Sequence, residues 1–433
     1  MRFFIVIVYM LTSLHALQNV TLNDALSMVV NRNIELSLAK LDEEIASHEY
    51  RMANAQSLGT LELTQSALRS NEALSVFGFK LQSREVTASD FDPKTLNDPK
   101  MHNYFQTALQ YTLPLYSGGE IEARQKITQT LKALKGLDTH KQKVLKLFEV
   151  KKTFYTLSLL ENHLKQLDII ASNIDKIEAL TRALHSEGYV KNVDLLEVSV
   201  RKSDIERLIH QSRTNHTLML DLLSFLVNEK VESIVVREEE VERVQLDEKD
   251  ILEHNLDIKR ASKGVEISQT SVSISEAAFL PKVGAFARYA SGDNTAFNAF
   301  SEKESYTIGL QMQWNLFHGG ADKSALEKAR VEYLKAQQNL NLSKQATLLQ
   351  WKKLMSEIEN DTFAIESLKH ELTLAHAIYE NYAARYGEKL VSIHEVLLKQ
   401  SAQIEKHLKL RELQNRRNEK IFEVETMIYK EES

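Results

Sequence analysis

Proline placement constrains this chain more than any other feature. The four prolines are Pro93, Pro99, Pro114 and Pro281; none falls between 115 and 280, and none follows 281. A proline inside a helix costs about 3 kcal/mol, so the two long proline-free stretches predict long helices. Over 120–185, Leu157, Leu160, Leu164, Leu167, Ile170, Ile174, Ile177 and Leu184 recur at intervals of three, four or seven. That is a narrow apolar seam of coiled-coil type. At ~1.5 Å per residue, such a helix is on the order of 100 Å long. The stretch 321–385 repeats the pattern with Leu326, Leu334, Leu354, Ile358, Ile365, Leu368, Leu372 and Tyr379. Shorter helices are predicted over 192–227 and 393–429. A first helix is expected from Thr21 to Ser57, opened by Thr21 and Asp24 in a capping-box-like arrangement.

Four short segments alternate with period two, which is strand behaviour. In 305–317, Tyr306, Ile308, Leu310, Met312, Trp314 and Leu316 share one face, while Thr307, Gly309, Gln311, Gln313 and Asn315 share the other. In 104–116, Phe105, Leu109, Tyr111, Leu113 and Leu115 oppose Gln106, Gln110 and Thr112. Segments 59–68 and 282–291 alternate more weakly, and each leads such a pair. One apolar and one polar face suits a membrane barrel wall around a wet lumen. The half-buried strands of a soluble sheet alternate in the same way.

The chain also repeats itself. QYTLPLYSGG at 110–119 answers QMQWNLFHGG at 311–320, and Gly118 and Gly319 are 201 residues apart. Asp194-Leu195-Leu196 and Glu395-Val396-Leu397 lie at the same offset. Asn33-Ile34-Glu35-Leu36 pairs with Asn255-Leu256-Asp257-Ile258 at 222, so the first half carries a longer strand-to-strand loop, 70–102. Each half therefore reads helix, strand, loop, strand, long helix, tip, helix. The first repeat is 17–227, the second is 251–433, and 228–250 links them. Paired glycines after an alternating strand permit the sharp change of backbone into a helix, which marks Gly118, Gly119, Gly319 and Gly320.

Residues 1–16 have a basic start, an apolar run and a small residue for cleavage, the order of a secretory signal peptide. With no cysteine in the chain, thiolate metal sites and cysteine nucleophiles are excluded. A net charge of −6 is mild for this length and does not suggest nucleic acid. His370-Glu371 followed by His376 lacks the zinc-protease spacing, because Leu374 stands where the second histidine is needed. Gly319 to Ser324 lacks the spacing of a phosphate loop. No enzymatic activity, cofactor or metal is expected. Four strands per chain cannot close a membrane barrel, since small closed ones have about eight. Twelve strands from a homotrimer would close naturally.

With these pieces in place, the chain resembles the TolC-like outer-membrane factors over nearly its whole mature length. The most specific segments are Pro114-Leu115-Tyr116-Ser117-Gly118-Gly119 and Trp314-Asn315-Leu316-Phe317-His318-Gly319-Gly320. Phe77 to Leu81 through Ala88 to Pro93 is similar to an outer loop of one branch of the family. The resemblance implies a mainly α fold with a small membrane β-part. In it, a twelve-stranded trimeric barrel in the outer membrane continues as a long α-helical barrel through the periplasm. It implies an exit duct of a tripartite efflux pump or type I secretion system. The expected partners are outer-membrane lipid, a periplasmic adaptor (membrane fusion) protein and an inner-membrane RND, ABC or MFS transporter. A periplasmic coiled-coil scaffold or adaptor without a barrel is the alternative.

The tips fall near 185–192 and 386–392. By resemblance, Asp194 and Glu395 line the constriction, and Tyr386 helps hold it closed. Leu398 and Val391 stand where a second acid and a gate arginine are found in the best-known member, so its ionic latch is not wholly present. Six carboxylates in a ring would attract cations and raise some of their own pKa values. Both acids also suit the first turn of a helix. Tyr104, Tyr306 and Trp314 are candidates for interfacial girdles.

Overall fold

The computed structural model describes residues 17–237, 241–243, 245–296 and 302–429. The candidate signal peptide, 1–16, lies outside them. The elements in chain order are α1 (Leu22–Arg32), α2 (Ile34–Ala55), β1 (Thr60–Ser70), α3 (Ala73–Gln82), α4 (Pro93–Asn97), β2 (His102–Tyr116), α5 (Glu120–Ser186) and α6 (Asn192–Val227). They continue as α7 (Glu248–His254), α8 (Leu256–Ala277), β3 (Lys282–Asp293), β4 (Glu304–Gln313), α9 (Ala321–Gly387) and α10 (Ile393–Thr426). The two proline-free stretches are filled by α5 and α9, each 67 residues long.

Two compact units cut across the sequence repeats, so that each repeat contributes to both. One unit is Asp42–Lys135 with Arg260–Leu340; the other is Met1–Leu41 with Gly136–Lys259 and Asn341–Ser433.

The first unit is built on one antiparallel sheet of order β1-β2-β3-β4. A bulge between Pro114 and Tyr116 lets β2 run on to pair Tyr116 with Val283. The strand expected over 305–317 stops at Gln313, which pairs with Lys282, the first residue of β3. Beyond that pair Pro281 has no N–H to offer a ladder. Trp314 leaves the strand, and its Nε1 donates to the Phe279 carbonyl at 3.0 Å. Leu334, expected in the α9 seam, is 57% exposed, because no element among the described residues covers its face.

In the second unit, the helix expected from Thr21 to Ser57 is broken at Asn33. The capping box of Thr21 and Asp24 opens it. At the break, Asn33 adopts an extended backbone, its Oδ1 caps Leu36 N at 3.0 Å, and its Nδ2 donates to the Leu226 carbonyl at 2.8 Å. Asn255 breaks α7 from α8 in the same way, bonding Ile258 N and the Met427 carbonyl. The segment 228–250 is more than a linker: Leu17 and Val20 pair in parallel with Val231 and Ile234. Val231, Ile234 and Val241 join Val29, Phe154, Leu157, Leu223, Leu226, Ile358 and Ile421 in one core. Each fully buried side chain of this kind contributes about 1.5–3 kcal/mol.

A second core, lower in the same helices, uses the predicted seam. Ile170, Ile174, Ile177 and Leu184 of α5 pack with Val198 and Ile205 of α6, Tyr379 and Tyr386 of α9, and Ile393, Val396 and Ile404 of α10.

Candidate functional site: the amphipathic sheet and the helical tip

Opposite residues in an antiparallel ladder share a face, so the register sorts the sheet directly. One face carries the rows Leu63–Leu109–Tyr289–Tyr306, Leu61–Tyr111–Ala287–Ile308 and Leu113–Ala285–Leu310. The other carries Glu62–Gln110–Arg288–Thr307 and Thr64–Ala108–Ala290–Ser305. Arg288 donates from Nη2 to Gln106 Oε1 at 2.9 Å on that polar face. The apolar rows remain uncovered: Leu63, Tyr306, Ile308 and Leu310 are each more than 70% exposed. Both edges, β1 and β4, pair with no further strand among the described residues.

Tyr104 does not belong to an exposed girdle. It lies on the polar face, 2% exposed, stacked on Phe79 of α3 at 4.5 Å and over Gly292, where any Cβ would strike its ring. Tyr306, by contrast, is exposed on the apolar face. The loop 70–102 folds over this end of the sheet. Arg84 donates to the Glu302 and Glu304 carbonyls, and Lys303 bridges Glu85 and Asp293 at 2.9 and 2.8 Å. Within the loop, Lys80 at 2.6 Å together with the backbone and hydroxyl of Thr87 holds the Asp90 carboxyl down at about 2.

At the strand-to-helix turns the backbone is left-handed at both pairs of glycines, with φ of 69° and 86° at Gly118 and Gly119 and of 61° and 84° at Gly319 and Gly320. A Cβ on Gly118 would also meet the Ala277 carbonyl oxygen at 3.0 Å.

The two tips are copies of one turn. Tyr189 N closes on the Leu184 carbonyl, and Leu390 N on the Arg385 carbonyl, both at 2.9 Å. The left-handed residue is Gly188 in the first tip and Lys389 in the second. Lys389 stands over the Tyr189 ring, its Nζ 3.3 Å from the centroid, and His394 faces Glu197 at 3.6 Å. Asp194 and Glu395 are both at the third position of their helices. The Asp194 carboxylate accepts from Lys191 N at 2.7 Å. Glu395 accepts from the Ser392 N–H and hydroxyl at 2.9 and 3.0 Å; these bonds hold its carboxyl below the usual carboxylate range. Tyr386 is 3% exposed. The Thr181 hydroxyl donates to the Ile177 carbonyl, so the Tyr386 hydroxyl, 2.9 Å away, donates to Thr181. Burial pushes its pKa up.

Thr181 is a residue beside the tip that sequence reasoning passed over, and Tyr189 and Lys389, inside the predicted tips, carried no assigned role. The 201-residue offset does align Lys389 with Gly188, which was a usable signal. His376 is bonded to Gln403 and Glu371 to Lys406. Among the described residues no group of three or more metal-ligating side chains forms.

A small open sheet with one apolar and one polar face, in a chain otherwise made of long helices, has the fold of outer-membrane channel subunits. The sequence model of the outer membrane efflux protein family matches residues 249–420. CusC, described in connection with transmembrane channel formation, superposes with a TM-score of 0.82 at 14% identity, over 94% of this chain and 92% of that one. The outer membrane protein VceC of Vibrio cholerae gives 0.77 at 17% identity over 94% of each chain. The Campylobacter jejuni CmeC outer membrane channel gives 0.80 at 15% identity, over 95% of this chain and 87% of that one. No curated protein matches in sequence. The chain thus has the fold of these outer-membrane channels, and residues 249–420 match the outer membrane efflux protein family in sequence.

Proposed function

We propose that the chain is one subunit of a trimeric outer-membrane exit duct, serving a tripartite efflux pump or type I secretion system and doing no chemistry of its own. The observation that carries this reading is the sheet: an uncovered apolar face, a polar face and two unpaired edges in one four-stranded piece. Unpaired edges are not tolerated in lipid, and symmetric association removes them. Three such sheets make a twelve-stranded barrel with Glu62, Gln110 and Arg288 in its lumen. Among the described residues no helix is long and apolar enough to span a bilayer. Residues 1–16 serve as the export signal. The likeness to outer-membrane channels supports a periplasmic adaptor and an inner-membrane transporter of the RND, ABC or MFS type as partners. At the tip, Asp194 and Glu395 form the cation-attracting constriction and Tyr386 stiffens it.

The test is the mass and location of the protein extracted in mild detergent. A trimer of roughly 150 kDa found in the outer-membrane fraction is expected. A soluble periplasmic monomer or dimer would overturn the duct in favour of a scaffold.

A further inference from the structure

Between α5, α10 and the segment around Arg237 lies a cavity of 260 Å³ whose described lining contains no carboxylate. We propose that this cavity is a binding site for a small tetrahedral oxyanion of the inorganic phosphate class, held by His163 and Arg411.

Two buried polar groups there lack partners. His163 is 6% exposed, and its Nε2 makes no hydrogen bond. Arg411 Nη1 is shielded from solvent and likewise makes none. An unpaired buried donor costs about 1–3 kcal/mol, and more when it is charged. A buried charge is normally met by a counter-charge. Among the described lining residues the charged neighbours have the same sign. His407, Arg237 and Arg417 line the same cavity, and the charges of Arg411 and His407, added to burial, pull the His163 imidazole down to about 4. An anion in the cavity would give His163 Nε2 and Arg411 Nη1 the partner that each lacks.

The scaffold is fixed in advance. Arg417 donates from Nε to Thr362 Oγ1 at 3.0 Å and from Nη2 to the Val241 carbonyl at 3.3 Å. Arg237 donates to the Tyr155 hydroxyl at 3.1 Å. Ser158, Asn162 and Gln166 follow one face of α5 at helical spacing and add neutral donors. Guanidinium groups suit tetrahedral oxyanions because two parallel N–H donors match two oxygens. The volume suits a free ion with a little water.

The experiment is calorimetric titration of the full detergent-solubilised protein with sodium phosphate, in an oxyanion-free chloride buffer of matched ionic strength. Saturable binding is expected, weakened at least about tenfold by Arg411→Gln and unchanged by Arg213→Gln, an exposed control. No saturable heat, or equal affinity in wild type and Arg411→Gln (an adventitious ion only), overturns the site. If Arg411→Gln does not assemble, Arg411→Lys keeps the charge but loses the paired donors. A several-fold weakening of phosphate affinity by that variant supports the proposal, and undiminished affinity overturns it.

Discussion

Asn33 and Asn255 occupy the same joint in the two repeats, and each sends its side-chain amide to a buried carbonyl 2.8 Å away, at Leu226 and Met427. Each also caps the helix that follows it. Replacing either by alanine strands that carbonyl and removes the cap, so each variant is expected to lose about 1–3 kcal/mol. Thermal unfolding of detergent-solubilised protein measures this; a change within error for both would mean that the joints are held by packing alone.

The faces of the sheet make a second prediction. Ile308→Arg puts a charge on the apolar face at about 2–4 kcal/mol per chain near the bilayer midplane. It is expected to deplete the protein from the outer-membrane fraction. Thr307→Arg, one residue away on the polar face, is expected to insert normally. Normal insertion of Ile308→Arg with loss of Thr307→Arg would mean that the faces are assigned the wrong way round, and equal insertion that neither face meets lipid.

At the tip, charge and helix capping have to be separated. Asp194→Asn with Glu395→Gln keeps a polar side chain at the capping positions while removing both charges. Reduced cation selectivity of the reconstituted pore, read from the reversal potential in a salt gradient, is the expected result. An unmoved reversal potential would leave both residues as helix caps only. Ser392 holds the Glu395 carboxyl low, so the charge persists into mild acid within one chain, against the rise expected from a ring of carboxylates.

His163 couples stability to pH. Its folded pKa, pulled to about 4 by burial and by the charges of Arg411 and His407, lies below the ordinary value of 6.5. The unfolded chain therefore takes up the proton first as pH falls. The contribution is full above the unfolded value and is lost as pH drops towards the folded one, by up to about 3 kcal/mol per chain. Denaturant midpoints across that window should fall in the wild type, and less steeply in His163→Gln; parallel slopes would exclude His163 as the source.

What could be read from sequence was whatever repeats along the chain. Proline gaps gave α5 and α9, alternation gave the strands, and two copies of Gly-Gly located turns whose backbone is left-handed. The mainly helical fold and the resemblance to outer-membrane factors are borne out on that basis. What escaped depends on contacts between distant segments. Asn33 looks like any polar residue on an amphipathic helix until Leu226 is beside it. Tyr104 shares the polar face of Gln106 and Gln110 and is covered by α3, from a loop with no pattern of its own. β4 ends where its partner β3 begins, a limit set by Pro281 just before that strand. At the tip, Asp194 and Glu395 were singled out by resemblance, at matching places in the two repeats, while Thr181, the partner of Tyr386, sits mid-helix and carries no local signal.

The two bare edges of the sheet also bear on inheritance. A chain that enters an assembly with a damaged β1 or β4 spoils the seam it shares with a sound neighbour. Such alleles should act dominantly when co-expressed with the wild type. A chain unable to enter the assembly at all should be recessive.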